Sequence, residues 1–488
     1  MSNDSWRPRL HLAPYRGLSS DPNGICQFKG TYHVFCQDAP AYPGNSDGPH
    51  GWGHFASRDL VSWVFLGCHV MPDVASDRDG AYSGGAFVSD ETDELWLYYT
   101  GNVRDGVGDG TTSGRLANQT RMKSYNGIHL GPKEVVLDNS GYPAYCSCHV
   151  RDPKVWSQDG MMHMMLGART LADSRGFVMM YDSADGERWE MAGSATNRAE
   201  APFGYMWECP DRIVLAGREF LSVCPQGMAV ASDPDDPMRF SCQNVHAAGY
   251  FPIEGTIVDL MHTDEGRIAA SAPRPAIDEG TFCDWDYGFD YYACQSFVDE
   301  KGRTLLVGWI GLSRDRDDVS VYGNPTSTWE GALSIPRELT LSDDGLILQN
   351  PVAEFDALRG EPVSWEHEVT LAEKCADVVL EGIDGDGSVM LGDFLELSFE
   401  GGLAVLEFLD EKVGQGRIAR RAIVGDVCDL RIIVDTSIIE IYVNGGETVF
   451  STRYYDEGET LTVATDLYAE RSVWYPMDDV TVNYLVER

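Results

Sequence analysis

The sequence predicts an all-β protein, a five-bladed β-propeller followed by a C-terminal β-sandwich. Three observations carry that expectation. Short apolar runs punctuated by many of the 51 glycines read as strands and tight turns over most of the chain. A weak repeat recurs through the first half. From about Val363 the pattern changes to longer alternating segments.

The repeat sets the blade size. Ser57-Arg58-Asp59-Leu60-Val61-Ser62-Trp63 returns as Ser183-Ala184-Asp185-Gly186-Glu187-Arg188-Trp189, each with Ser, an acid two residues on and Trp beyond it. Looser copies begin at Ser124, with Asn126 and Leu130, and at Ser232, with Asp233 and Phe240. The four starts lie 67, 59 and 49 residues apart. A unit of about 50 to 65 residues containing several strands matches one propeller blade. Five such blades fill residues 1–341, with the Met161 to Met165 run as blade core. A helical or irregular connector is expected over 342–362, around Asn350 to Arg359, and the sandwich over 363–488. There Phe394 to Leu409 and Leu430 to Val443 read as long strands, and Asn444-Gly445-Gly446 as a hairpin turn.

Composition narrows the function. A chain of 488 residues with 43% hydrophobic content can bury a large core, which excludes a disordered protein. The net charge of −40 argues against nucleic acid or an anionic membrane as a partner and fits a neutral substrate. It fits a very soluble or salt-adapted protein equally well. Met1 to Leu10 has no apolar segment behind it, no stretch is long enough to span a membrane, and the 12 cysteines read as reduced thiols, so a cytoplasmic location is expected. Cys146-Ser147-Cys148-His149 has ligand-like spacing, but no second cluster completes it, so neither metal nor cofactor is expected. The oligomeric state is not legible.

Three carboxylates sit in loaded settings. In Leu18-Ser19-Ser20-Asp21-Pro22-Asn23-Gly24, Pro22 fixes its own φ and Gly24 tolerates a positive one, so Asp21 is held at a turn. The others are Arg151-Asp152-Pro153 and Trp207-Glu208-Cys209-Pro210. Each alone reads as well as a solvated surface acid, and Arg151–Asp152 as a local ion pair. Their spacing favours more. Asp152 lies 131 residues after Asp21, about two blades, and Glu208 lies 56 further on, about one. Equivalent positions on successive blades converge on the propeller axis, so the three acids can share one funnel.

These motifs, in order, resemble glycoside hydrolase family 32, the invertases and related β-fructosidases. The resemblance runs through Arg7-Pro8 to Gly24, Gly51-Trp52-Gly53-His54, Tyr82-Ser83-Gly84-Gly85, Arg151-Asp152-Pro153, Glu208-Cys209-Pro210, Asp290-Tyr291-Tyr292-Ala293 and Leu333 to Leu339. It implies a five-bladed propeller with a β-sandwich, cleaving the terminal β-fructofuranosyl bond of sucrose and short fructo-oligosaccharides with retention. Asp21 would be the nucleophile, Glu208 the acid/base and Asp152 the transition-state stabiliser. Asn23, Gln37, Trp52, Ser83, Arg151, Cys209 and Ser20 would contact substrate, although Gln37, Trp52 and Ser83 could equally be strand packing. Oxocarbenium character at the fructose C2 calls for a carboxylate on one side and a proton donor on the other, about 5 Å apart for retention. Trp207 and Cys209 would lower the polarity around Glu208 and keep its proton, and Arg151 would hold Asp152 ionised.

One stretch departs from the family pattern. Leu18-Ser19-Ser20 stands where the family usually has Trp-Met-Asn, removing an aromatic wall and an amide beside Asp21. Transfructosylation as a side reaction is the expected consequence. Alternatives are a fructosyltransferase, a catalytically silent sugar-binding propeller, and a sucrose-6-phosphate hydrolase. The last needs a cationic pocket, for which Arg16, Arg104, Arg274 and Arg314 are available.

Overall fold

The computed structural model describes residues 5–41, 50–228, 232–233, 236–240, 242–262, 272–311, 325–326 and 328–485. Five sheets follow one another along the chain. Their first strands are β1 (Gly17–Phe28), β2 (Ala86–Ser89), β3 (Cys146–Gln158), β4 (Met206–Leu215) and β5 (Tyr292–Val298). Each pairs antiparallel with the next strand in sequence, and later strands are added outward. The five first strands touch one another in cyclic order, β5 against β1, and so close a ring around one axis. This is a five-bladed propeller.

Local sequence explains the blade turns. In blades one, three and four the first hairpin is a two-residue turn, Lys29-Gly30, Asp159-Gly160 and Ala216-Gly217, with both φ angles positive. That turn type matches the twist of paired strands. The repeat is the turn between third and fourth strands. In blade one the Ser57 hydroxyl accepts from the Asp59 and Leu60 amides while the Trp63 indole donates to Leu60 O. Ser183, Gly186 and Trp189 reproduce the pattern in blade three. Ser124 and Asn126 cap the same turn in blade two. The copy at Ser232 is different: Ser232–Asp233 pairs with Asp236–Phe240 in a two-stranded hairpin between the second and third strands of blade four.

Three other expectations are corrected. The fifth sheet ends with Ile347–Pro351, ten residues past the expected boundary, and a 3-10 helix at Ala353–Leu358 forms the connector. Phe394 to Leu409 and Leu430 to Val443 are each two strands rather than one. Gly401 and Gly402, both at positive φ, turn the first, and Asp435 to Ser437 break the second, while the alternating pattern runs on across both turns. Two six-stranded sheets pack as the sandwich around Leu380, Leu397, Ile432 and Ile441. Finally, Thr481–Tyr484 leaves the sandwich and pairs parallel with Ser62–Val70 on the outer edge of blade one.

Buried charge joins the two parts. His11, near the N-terminus, lies between Asp435 and Glu440 of the sandwich, at 2.7 and 3.0 Å. Arg337 of blade five bridges Glu440 and Asp286, at 2.7 and 3.0 Å.

Candidate active site

Four of the five first strands are broken in the same way. The ladder slips register after Asn23 in β1, around Asp152 in β3, after Glu208 in β4 and after Tyr292 in β5. At each slip one residue is left-handed: Gly24 at φ 51°, Asp152 at 65°, Cys209 at 46° and Ala293 at 51°. Three of the four are not glycine, and such backbone strain persists only where the surroundings enforce it. At Gly24 a Cβ would come within 3.0 Å of Trp52 and 3.1 Å of Leu97, so a side chain there would be strained at this φ and crowd both neighbours. The bulges redirect side chains from the blade faces toward the axis.

They open onto a cavity of about 690 Å³ lined by Asp21, Asp152 and Glu208 together with Ser20, Gln37, Ser83 and Arg151. Asn23, Trp52 and Cys209 stand behind that lining. Asn23 Oδ1 accepts from the Gly84 amide at 3.2 Å. The Trp52 indole is fully buried and donates to Tyr82 O at 3.1 Å, so it props the wall rather than facing a sugar. Cys209 buries its thiol near Ile213 and Cys224, but its amide donates to Asp152 Oδ2 at 2.9 Å.

Each carboxylate has its own set of partners. Asp21 Oδ2 accepts from the Ser83 hydroxyl at 2.6 Å, and Gln37 lies behind Ser83, 3.5 Å from its hydroxyl. Burial holds the Asp21 carboxyl above the usual range, against the hydroxyls of Ser83 and Ser20 and reinforced by the charge of Glu208. Asp152 is anchored through its own amide, which donates to Thr100 Oγ1 at 3.1 Å. Glu208 Oε1 accepts from Arg151 Nη2 and Nε at 2.7 and 2.9 Å, and Oε2 accepts from Tyr292 OH at 2.6 Å.

Two electrostatic expectations are overturned here. Arg151 aims its fork at Glu208 and stays 3.9 Å from Asp152. Burial therefore outweighs it, and the Asp152 carboxyl is pushed up to about 7, helped by the charges of Glu208 and Asp21. Nor do Trp207 and Cys209 surround the Glu208 carboxyl with apolar atoms. Strand alternation sends the Trp207 indole into the blade core, where it donates to Phe203 O at 2.7 Å. What surrounds Glu208 is Arg151, Tyr292 and two other acids.

Sequence reasoning missed several residues. Tyr292 lay in a segment singled out above, immediately before left-handed Ala293, just as Glu208 precedes Cys209. The cation candidates were mostly elsewhere. Arg104 lines the cavity, joined by Arg78, Arg115, Arg151 and Arg169. Arg16 is exposed, Arg274 binds Leu260 O on blade three, and Arg314 lies outside the described residues. Arg78 is 3.3 Å from Asp79. Among the described residues, Arg104, Arg115 and Arg169 have no carboxylate within ion-pair distance, and the buried Arg115 Nε has no hydrogen-bond partner. At Cys146-Ser147-Cys148-His149, His149 Nε2 bonds Gly110 O and Nδ1 bonds Arg151. Among the described residues no group of three or more His, Cys, Asp or Glu side chains is arranged to hold a metal ion.

Comparison with known proteins agrees in extent with this architecture. The model described as "Glycosyl hydrolases family 32 N-terminal domain" matches residues 11–351, and "Glycosyl hydrolases family 32 C terminal" matches 405–482. A sucrose-6-phosphate hydrolase of Bacillus subtilis (strain 168) is 34% identical over 472 residues, covering 93% of this chain and 90% of that protein. The solved structure of sucrose-6-phosphate hydrolase from Lactobacillus gasseri superposes with a TM-score of 0.82 at 26% identity, covering 98% of this chain and 94% of that one. A family 32 β-fructofuranosidase of Bombyx mori superposes at 0.77 with 25% identity, covering 98% and 95%.

Proposed function

The chain belongs to glycoside hydrolase family 32 and is a glycoside hydrolase, and from that premise we propose that it cleaves the β-fructofuranosyl bond of sucrose 6-phosphate with retention. Asp21 attacks the fructose C2, forming a C–O bond to the sugar as the bond to the leaving oxygen breaks. Glu208 gives that oxygen its proton and then takes one from the incoming water, which releases fructose from Asp21. Asp152, buried beside both, hydrogen-bonds the fructose hydroxyls.

The single observation behind the phosphorylated substrate is the arginine-rich mouth. In a chain of net charge −40, five arginines face one cavity of about 690 Å³, and three of them lack a carboxylate partner among the described residues. Unmatched guanidinium groups in a half-enclosed site favour a dianion, since their planar forks suit phosphate oxygens. The named relatives in Bacillus subtilis and Lactobacillus gasseri are sucrose-6-phosphate hydrolases, which supports the same reading. Plain sucrose is the second reading. Asp79 and Asp109 lie among the arginines and lower the net positive charge of the mouth.

The test compares kcat/KM for sucrose 6-phosphate and sucrose. The proposal expects the phosphorylated sugar to win by about tenfold or more, with Arg104→Ala and Arg115→Ala each removing most of that margin. Equal specificity in wild type would favour sucrose.

A further inference from the structure

A chain of hydrogen bonds runs from the rim of the cavity to Glu208. The loop Asp105 to Gly114 hangs between Arg104 and Arg115, which pair across the hairpin, and its Asp109, Gly110 and Thr111 line the cavity. Gly110 O lies 3.1 Å from His149 Nε2, and His149 Nδ1 lies 2.8 Å from Arg151 Nη1. Arg151 then donates from Nε and Nη2 to Glu208. A guanidinium only donates, so Nδ1 must be the accepting nitrogen and Nε2 must carry the ring proton. The tautomer follows from the partners.

We propose that His149 is a positioning residue for the acid/base: its Nδ1 lone pair holds the Arg151 fork against Glu208, while its Nε2–H ties that fork to the rim loop. The inference rests on reading Glu208 as the acid/base.

Arg151 has a competing attraction. Asp152 Oδ2 is 3.9 Å from its Nε, and Gln226 Oε1 is 3.5 Å from its Nη2. With Nη1 fixed by His149, the planar fork can turn toward neither without breaking a bond. The groups facing His149 are the cations Arg115, Arg151 and Arg169, the Cys148 thiol beside it and Asp109 on the loop. Burial, then the charges of these arginines, hold the imidazole down to about 3, so Nδ1 is an acceptor near neutral pH. The groups facing Glu208 are Arg151, Tyr292, Asp21, Asp152 and Cys209.

Two substitutions separate the two halves of the ring. In His149→Asn the amide oxygen occupies the Nδ1 position and can still accept from Arg151. In His149→Gln the longer side chain reaches the Nε2 position and keeps only the loop. With Arg151 released, the site loses a cation that favours negative charge beside it, and the alkaline limb of the activity profile moves up. The measurement is the pH dependence of kcat/KM on sucrose 6-phosphate and on sucrose, for wild type, both variants and Glu208→Ala. Expected for His149→Gln is a kcat about tenfold lower, with the alkaline limb moved up by about half a pH unit or more. Expected for His149→Asn is the wild-type limb with most of kcat retained. If both variants keep the wild-type limb, if both lose it equally, or if only His149→Asn moves it, the positioning role is wrong. Activity surviving in Glu208→Ala would instead overturn the parent reading of the acid/base.

Discussion

At the propeller–sandwich junction Glu440 accepts from Ile335 N, His11 Nε2, Arg337 Nε and Nη2, and Tyr442 OH, all within 3.1 Å. Asp435 beside it accepts from Arg9 N, Leu10 N and His11 Nδ1. In the candidate active-site cavity Asp152 has one amide on its carboxylate and an arginine that faces elsewhere. Asp152 is buried as Glu440 and Asp435 are, and the outcomes are opposite. At the junction, Arg337 and His11 overcome burial and hold Glu440 down at about 2, while the two carboxylates raise His11 to about 9. In the cavity burial wins, and Asp21 and Asp152 are both held high. Matched charges fasten the fold. Under-matched charges weaken it and, on the proposed reading, leave the acids able to answer positive charge developing at a bound sugar.

The contrast breaks most visibly by removing the acids. Asp21→Ala and Glu208→Ala each lower kcat by about a thousandfold or more, since water cannot replace either group at a comparable rate. The melting temperature of Asp21→Ala equals or exceeds that of wild type, because burial holds that carboxyl above its usual range. Glu208→Ala melts lower, because Arg151 and Tyr292 lose their partner, yet it stays folded. Calorimetry beside an activity assay checks both halves. A large loss of stability in Asp21→Ala would place that acid with Glu440.

Glu440→Gln reverses the pattern. It leaves Arg337 and His11 short of a buried partner and costs about 3–5 kcal/mol of stability, read by denaturant unfolding. Protein that remains folded keeps kcat/KM near wild type.

The pH dependence sharpens the same comparison. Glu440 is depressed, so its contribution is present above its ordinary value of 4.5 and is lost as pH falls toward about 2. His11 is raised, so its contribution is complete below 6.5 and is lost as pH rises through about 9. Asp152 is raised as well, so its effect on stability is most favourable below 3.8 and turns to a penalty as pH rises through about 7. Asp152→Asn therefore raises the melting temperature more at pH 8 than at pH 5. An equal change at both would contradict the raised carboxyl.

The smallest effect concerns Ser20. Its hydroxyl helps hold the Asp21 carboxylate in place of the family's usual amide. Wild type at high sucrose concentration is expected to form some trisaccharide, and Ser20→Asn to lower that fraction by a few-fold. Chromatography of the products at several sucrose concentrations decides it.

Much of this was legible because it is local. The Ser57, Ser124 and Ser183 turns announce themselves through a hydroxyl, an acid or amide and an aromatic at fixed offsets. Asp21, Asp152 and Glu208 are marked by neighbouring prolines. What stayed hidden depends on which way a side chain faces. A left-handed residue at Asp152 lets Arg151 meet Glu208, while ordinary alternation before Cys209 turns Trp207 to the core, and neither outcome is written in the residues themselves. Trp52 could not be told from a sugar-facing wall for the same reason. The arginine mouth is assembled from Arg78 in the connection between blades one and two, Arg104 and Arg115 on blade two, and Arg151 and Arg169 on blade three, and carries no local signature. The strand Thr481–Tyr484 pairs with residues more than 400 positions away, and nothing in its sequence names the partner.

The central claim is a double displacement in which Asp21 takes the fructosyl group with help from Glu208. Free fructose loses its stereochemical record quickly, so the fructosyl-enzyme should be captured with methanol and the methyl fructofuranoside examined by NMR before it can re-react. The account predicts methyl β-D-fructofuranoside as the first-formed product. The α anomer would contradict it, because inversion requires a single displacement with no covalent bond to Asp21.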